Sequence, residues 1–315
     1  MSSKKKIGLI DVDGHNFPNI PLMKISAYHK ARGDDVSWYQ PLFSGHMDRV
    51  YMSKVFSFTP DYEYYIDADE MIKGGSGYCI SLKDGKEEFD KTKDVPLPPE
   101  IEHIYPDYGL YGITDTAYGF LTRGCPRGCD FCHVAAKEGK CSVKVADLSE
   151  FWHGQKNIML CDPNILACRD WKELLKQLTD SKARININQG LDIRLMTEEK
   201  AEMIGKLRVE SVHFAWDKYQ DKETILPKFR QFKEITGWGA RKTSVYVLTN
   251  FDTTFEQDLE RIYTLRDLGY DPYVMIYDKE HTKGNDPVRL LQRYVNNRRI
   301  FRTISRFEDY DPKKG

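Results

Sequence analysis

The sequence lacks the marks of a membrane or exported protein. Among its 315 residues no stretch approaches the roughly 18 to 20 consecutive apolar residues that a membrane-spanning helix needs. The first six residues are partly basic, but the apolar run at 7–12 is too short for the core of a signal peptide and contains Asp11. We therefore expect a cytoplasmic protein without a membrane partner.

The chain also lacks an excess of charge of either sign. It has 47 basic and 48 acidic residues and a formal net charge of -1, so no overall field draws it to nucleic acid or to an anionic membrane. The densest basic run lies between Arg293 and Arg306, where arginines are interleaved with aromatic residues. We expect a solvated terminal helix there, and a local nucleic-acid surface is the alternative.

The seven cysteines do not suit a disulfide framework, because their number is odd and no export signal is recognised. Three of them, Cys125, Cys129 and Cys132, lie on a short segment with the spacing C-x3-C-x2-C. Thiolates are the ligands of iron–sulfur clusters, and three of them leave one iron of a four-iron cluster open to a substrate. A structural zinc site with His133 or Cys141 as fourth ligand is the alternative. The sequence predicts buried, non-ligating roles for Cys79, Cys161 and Cys168.

Residues 1–95 are predicted to form a small α/β domain of Rossmann type. The run at 6–11 predicts a buried strand, and residues 21–32 predict a helix that ends at Gly33. Residues 96–116 are predicted to be a linker. Further short β-prone runs are predicted at 36–39, 55–58 and 64–66.

From residue 117 to residue 280 strand-like and helix-like patterns alternate. Such alternation implies a parallel sheet, curved into a partial or complete barrel, with ligand-binding groups at the carboxyl ends of its strands. Residues 281–315 are predicted to be a helical extension. Strands are predicted at 117–122, 157–161, 185–188, 211–216, 244–248 and 273–277. Helices are predicted at 171–178, 198–207, 225–236, 255–268 and 287–296.

The three closely spaced cysteines, with Phe131 before the last, resemble the signature of the radical S-adenosylmethionine (radical SAM) superfamily. The resemblance covers roughly residues 117–277 and implies a partial (βα)6 barrel related to the TIM barrel. It implies that Cys125, Cys129 and Cys132 hold a [4Fe-4S] cluster and that the backbone of Phe131 lies beside the adenine. It also implies an electron donor such as flavodoxin or ferredoxin.

The end of the second predicted barrel strand departs from the pattern of the superfamily. Many members have a Gly-Gly-Glu element there, whereas this chain has Cys161-Asp-Pro-Asn164. That element resembles the Asp-Asn pair of relatives with an N-terminal cobalamin-type domain. The resemblance assigns Asp162 and Asn164 to hydrogen bonds with an ammonium or hydroxyl group of SAM. A helix N-cap is the alternative.

Later strand ends are also compared with the family's cofactor contacts. Gln189 and Asp192 suit ribose hydroxyls, and Arg194 suits the methionine carboxylate through a bidentate contact. A surface salt bridge between Asp192 and Arg194 is the alternative. Asp217 closes the fourth strand and Asn250 follows the fifth, where the resemblance places adenine and substrate.

The N-terminal domain resembles cobalamin-binding domains in part. Asp13 and His15 match the pair in which the histidine ligates cobalt and the aspartate orients it through the other ring nitrogen. Gly74 and Gly75 are the counterpart of a glycine pair that lines the nucleotide tail of cobalamin. Pro18 stands where those domains have glycine. An ordinary hydrogen-bonding role for His15 is the alternative.

Together these residues predict an enzyme that cleaves SAM reductively and uses the 5′-deoxyadenosyl radical on a substrate. With cobalamin the resemblance implies methyl transfer or a ring rearrangement, and without it hydrogen abstraction, thiolation or another radical modification. A non-catalytic iron–sulfur or zinc-binding module, contacting RNA through residues 293–306, is the alternative from another class.

Overall fold

The computed structural model describes residues 4–83 and 86–313, which form an α/β protein with parallel sheets. The predicted α/β class is confirmed. By its contacts the chain divides into a first compact unit, residues 1–163 with 168–170, and a second, residues 164–167 with 171–315. These units do not follow the boundaries predicted near residues 95 and 117, and that predicted domain division stays a prediction. None of the helices in the described ranges is long and apolar enough to cross a membrane.

A four-stranded sheet opens the first unit. Its strands and helix are β1 (Lys6–Asp11), α1 (Ile20–Ala31), β2 (Asp35–Trp38), β3 (Met47–Ser53) and β4 (Ala68–Gly74). The strands lie in the order β2, β1, β3, β4, and each neighbouring pair is parallel. Strand β1 is central and buried on both faces, since Ile7 and Leu9 pack in one apolar cluster with α1 and Ile10 packs in another. Each such fully buried side chain contributes roughly 1.5–3 kcal/mol of transfer free energy.

The predictions for this region are partly right. The strand at 6–11 is confirmed, and the helix predicted at 21–32 runs from Ile20 to Ala31. The strands predicted at 55–58 and 64–66 are wrong, because both segments lie in loops and β3 and β4 lie on either side of them. Their aromatic content suggested strands, yet Phe58 is 71% exposed and Tyr65 is 81% exposed. Aromatic residues raise β propensity only where a sheet surface buries them.

The rest of the first unit frames the cysteine-rich segment. Its elements are α2 (Ser76–Cys79), β5 (Ile80–Lys83), β6 (Lys86–Phe89), α3 (Pro99–Glu102), β7 (Thr116–Gly119), β8 (Thr122–Arg123), α4 (Val134–Glu138), β9 (Val143–Lys144) and β10 (Asn157–Leu160). Strands β7 and β10 are parallel, with Gly119 beside Leu160. Strands β8 and β9 pair antiparallel, as do β5 and β6.

The second unit alternates helices and strands. Its elements are α5 (Trp171–Ser181), β11 (Arg184–Ile187), α6 (Glu198–Gly205), β12 (Val212–Ala215), α7 (Lys222–Thr236), β13 (Thr243–Thr249), α8 (Phe255–Asp267), β14 (Asp271–Ile276), α9 (Pro287–Asn296) and α10 (Arg298–Thr303). Strands β12, β13 and β14 form a parallel sheet in that order. The six strands and five helices predicted between residues 117 and 296 are all present, with shifted ends.

The basic C-terminal run lies on α9, α10 and the turn that follows. Arg293, Arg298 and Arg306 are exposed, whereas Tyr294 and Phe301 are buried and pack together with their ring centroids 5.3 Å apart. The predicted solvated helix is confirmed by the exposure of its arginines, and the buried Tyr294 and Phe301 side chains belong to the core. They are therefore not available for stacking on bases.

Candidate functional site

The three predicted cluster ligands lie on one loop directly after the carboxyl end of β7 and the short strand β8. The loop is closed at its base, since Cys125 N–H donates to Gly139 O at 3.1 Å and the Glu138 carboxylate accepts from Arg123 and from Gly124 N–H. Gly124 has φ +84°, and a Cβ there would lie 2.1 Å from the Cys141 carbonyl oxygen. Only glycine fits at this entry to the loop.

Asp162 holds the base of the cysteine loop from the neighbouring strand. It follows β10 and has no exposed surface, and its carboxylate accepts hydrogen bonds from Leu121 N–H at 3.0 Å and from the N–H and hydroxyl of Thr122, both at 2.6 Å. Burial raises the pKa of Asp162 to about 6, although these hydrogen bonds lower it. The contacts make Asp162 a positioning residue for β8, and its predicted contact with SAM stays a prediction.

The cysteines divide by exposure as the sequence predicts. Cys79, Cys161 and Cys168 are buried, and burial raises the pKa of the Cys161 thiol to about 12. The loop cysteines are different: Cys125 and Cys129 are half-buried and Cys132 is exposed. A thiol with a strongly raised pKa is a poor metal ligand, because the thiolate is the coordinating form.

The donor set of the loop fits an iron–sulfur cluster. Three soft thiols lie within eight residues of one loop. The loop folds back on itself, because Gly128 has φ +55° and Cys132 N–H donates to Cys129 O in a turn. Across residues 4–83 and 86–313 no three His, Cys, Asp or Glu side chains converge on a metal-binding position. The cysteine loop thus supplies ligand types and spacing, and the coordination geometry stays a prediction.

In the second unit, four predicted or adjacent polar residues form a connected chain. The Asn164 amide donates to Asp192 at 3.4 Å, and Asp192 accepts from the Arg194 backbone N–H at 3.1 Å and from Arg194 Nε at 2.7 Å. Arg194 also donates to Asp221 at 2.8 Å. The ion pair considered as the alternative is therefore present, and it is largely buried, not superficial.

Asp217 lies beside this chain at the carboxyl end of β12. Asp217 is half-buried, and its partial burial raises its pKa to about 6 against the lowering effect of Arg194 and Arg261. A carboxyl group that titrates near neutral pH is able to exchange a proton under ordinary conditions. The structure thus brings Asn164, Asp192, Arg194 and Asp217 into one polar region of the second unit.

Three other predicted residues, Gln189, Phe131 and Asn250, lie outside this hydrogen-bonded chain. Gln189 is exposed after β11 and Phe131 is half-buried in the cysteine loop. Asn250 has φ +63° after β13, and its amide donates to Tyr277 O at 3.0 Å. Asn250 therefore holds the end of β14 in place.

At the first sheet, Asp13 and His15 do not form the pair that the resemblance implies. Asp13 accepts from the backbone N–H groups of Val55 and Phe56 and from the Thr59 hydroxyl, which ties the loops after β1 and β3 together. His15 is exposed and stacks on Trp38, with the ring centroids 4.2 Å apart. In the described part of the chain no hydrogen bond joins Asp13 to His15.

The fold itself accounts for glycine at position 75 of the Gly74-Gly75 pair. Gly75 has φ +100°, and a Cβ there would lie 2.2 Å from the Lys54 carbonyl oxygen. Lys54 N–H also donates to Gly74 O at 3.1 Å. At Gly75 the space is filled by the Lys54 backbone, whereas at Gly74 the nearest atom to such a Cβ is Val95 O at 3.8 Å. The predicted contact of this pair with cobalamin stays a prediction, and we assign no step to cobalamin.

Sequence reasoning missed two residues that organise the second unit. Asp221 pairs with Arg194. The one sequence feature that could have suggested a role for Asp221 is its position four residues after Asp217. Arg261 on α8 is fully buried and donates to Trp216 O, Asp217 O and Leu248 O. An arginine within an amphipathic helix gives no sign in the sequence that it points inward.

A scan against known protein families finds none that matches this chain, and a search of curated proteins likewise finds no match.

Proposed function

We propose that this protein is a radical SAM enzyme that holds a [4Fe-4S] cluster on Cys125, Cys129 and Cys132. The observation that carries the proposal is the position of the C-x3-C-x2-C loop, directly beyond the carboxyl end of parallel strand β7. When bound, such a cluster supplies the electron that breaks a sulfonium carbon–sulfur bond of SAM and releases a 5′-deoxyadenosyl radical. The protein's own residues bind and orient the reactants and keep water away.

The same proposal includes the architecture of the chain, a Rossmann-like N-terminal domain followed by a partial (βα)6 barrel. The order β2, β1, β3, β4 is one found in doubly wound sheets. Six strands, β7 and β10 to β14, each precede a helix along the chain. Both observations support this architecture, in which binding groups gather at the carboxyl ends of strands.

The polar chain of the second unit suits the charges of SAM. Arg194 is paired with two carboxylates, Asp192 and Asp221, so this set carries a net negative charge. The sulfonium and ammonium groups of SAM are cationic and are attracted to it. Asp192, held in place by Arg194, is suited to accept hydrogen bonds from ribose hydroxyls, with Asn164 beside it.

Anaerobic reconstitution tests the proposal. The protein is loaded with iron and sulfide, treated with dithionite and SAM, and assayed by chromatography for 5′-deoxyadenosine. We expect product from the wild type and from Cys141→Ala, an exposed thiol outside the motif, and neither cluster nor product from Cys129→Ala. A full four-iron cluster without any 5′-deoxyadenosine would rule out the enzyme.

Metal analysis of the purified protein separates the proposal from the zinc alternative. One equivalent of zinc that is lost in Cys129→Ala, together with failure to incorporate iron, would instead establish a structural zinc site. Loss of that zinc in Cys141→Ala would identify Cys141 as the fourth ligand, and its retention would point to His133.

A further inference from the structure

An open cleft of about 730 Å³ lies in the first unit, apart from the cysteine loop. It is formed where β1 and β2 end, and residues 60–64 of the long loop after β3 complete it. The carboxyl edge of a parallel sheet is the usual position of a binding site in α/β proteins. The volume falls in the range of small-molecule sites.

The walls of this cleft are aromatic. His15 stacks on Trp38 on one side, and Tyr62 and Tyr64 contact each other edge to face with their ring centroids 5.4 Å apart. Tyr64 is 71% exposed, so its ring is open to a ligand. Aromatic faces attract cations and apolar groups in the same place.

Three of the four acidic or basic residues that line the cleft are acidic, and the fourth is His15. Asp11, Asp61 and Glu63 line the cleft, and none of its described lining residues is Lys or Arg. Lys73, which is not a lining residue, pairs with Asp61 at 3.6 Å. Asp11 accepts from the Tyr111 hydroxyl at 2.6 Å, and Asp61 accepts from the Tyr78 hydroxyl at 2.9 Å. Burial raises the pKa of Asp11, and a cation beside it would favour its ionised form.

One buried polar atom in the cleft wall lacks a protein partner. The Tyr62 hydroxyl oxygen is inaccessible to solvent and has no hydrogen bond within the described part of the chain. Because solvent does not reach this oxygen, a ligand in the cleft does not reach it either, and Tyr62 counts here only as an aromatic lining residue. Phosphate would not serve, because it would face three carboxyl groups.

We propose that this cleft binds an organic ammonium ion, a protonated amine carried on an aromatic or other apolar body. The ammonium group contacts the carboxylates of Asp11, Asp61 and Glu63, and the apolar body lies against Trp38 and Tyr64. The inference goes beyond the proposed radical chemistry, because none of these residues takes part in binding the cluster or SAM.

Isothermal titration calorimetry with three probes that share one ring tests the charge requirement. The probes are 2-phenylethylammonium, 2-phenylethanol and 3-phenylpropionate, which carry charges of about +1, 0 and -1 at pH 7.5. We expect the ammonium to bind at least about tenfold more tightly than the alcohol, and the carboxylate not to bind. Equal affinity for the alcohol, preference for the carboxylate, or no binding of the ammonium would overturn the proposal.

Charge reversal at the rim locates the site. Glu63 is exposed, so Glu63→Lys is compatible with folding, and Glu198→Lys on α6 is the matched control. We expect Glu63→Lys to weaken the ammonium by about tenfold and Glu198→Lys to leave it unchanged. Equal effects of the two substitutions would place binding elsewhere.

A variant with Cys125, Cys129 and Cys132 all changed to Ala should bind the ammonium like the wild type, so failure of the radical proposal leaves this test intact.

Discussion

Asp217 is half-buried and lies near Arg194 and Arg261. Its pKa is raised to about 6, because loss of hydration disfavours the charged form more than the two arginines favour it. An aspartate in the unfolded chain ionises near 3.8. Between these pH values the folded chain keeps a proton that the unfolded chain has lost. The contribution of Asp217 to the free energy of unfolding is therefore largest below about pH 4 and is lost as the pH rises through about 6.

Replacement of this carboxyl group should flatten the pH dependence of stability. We expect the difference in unfolding free energy between about pH 4 and pH 6.5 to change by about 2 kcal/mol in Asp217→Asn relative to the wild type. Urea unfolding across that pH range measures it, with exposed Asp309→Asn as the control. Identical pH profiles for the wild type and Asp217→Asn would contradict the raised pKa.

At the scale of elements, the cysteine loop follows β7 and β8, but a residue after the neighbouring strand β10 supports it. Asp162 follows β10, yet its carboxylate satisfies three hydrogen-bond donors on Leu121 and Thr122, where β8 begins. The C-x3-C-x2-C spacing alone does not reveal this support. It arises because β7 and β10 are parallel neighbours, so that their carboxyl ends meet.

Removal of the supporting carboxylate should destabilise the loop more than removal of one donor. We expect Asp162→Ala to lower the unfolding free energy by about 3 kcal/mol, because three buried donors lose their acceptor, and Thr122→Val to lower it by about 1 kcal/mol. Urea denaturation and amide exchange at Leu121 and Thr122 measure the two effects. A loss in Thr122→Val as large as that in Asp162→Ala would show that Asp162 is not the main support.

At the scale of the whole molecule, the core and the proposed cluster ligands are separate. The apolar core is built from strands and helices, whereas Cys125, Cys129 and Cys132 lie outside it on a half-exposed loop. We therefore expect the fold not to require the three thiols, in contrast to a structural zinc site, whose metal supplies folding energy.

The variant with all three loop cysteines changed to Ala should keep its fold. We expect its far-ultraviolet circular dichroism to be unchanged and its unfolding free energy to lie within about 1 kcal/mol of that of the metal-free wild type. Cys161→Ser, which places a hydroxyl at a buried position, should cost about 1–3 kcal/mol and is the comparison. Unfolding of the triple variant would show that the thiols have a structural role.

The sequence by itself determined the α/β class, the six strands β7 and β10 to β14 that precede helices, and the grouping of three thiols on one loop. These follow from hydrophobic periodicity and short-range spacing, which are local properties of the chain. The loops at 55–58 and 64–66 were mispredicted as strands because local propensity does not report burial.

Only the tertiary structure decided which polar residues meet. Asn164, Asp192, Arg194 and Asp221 form one hydrogen-bonded chain in the fold. Arg261 points into the core of its unit and donates to Trp216 O. Asp13 accepts hydrogen bonds from the loop after β3, whereas the sequence predicted a contact with His15. The physical reason is that hydrogen bonds and buried charges depend on which strand ends are neighbours, and the sheet order sets these long-range contacts. The thiol spacing points to a cluster, and the partners of the surrounding carboxylates come from the fold.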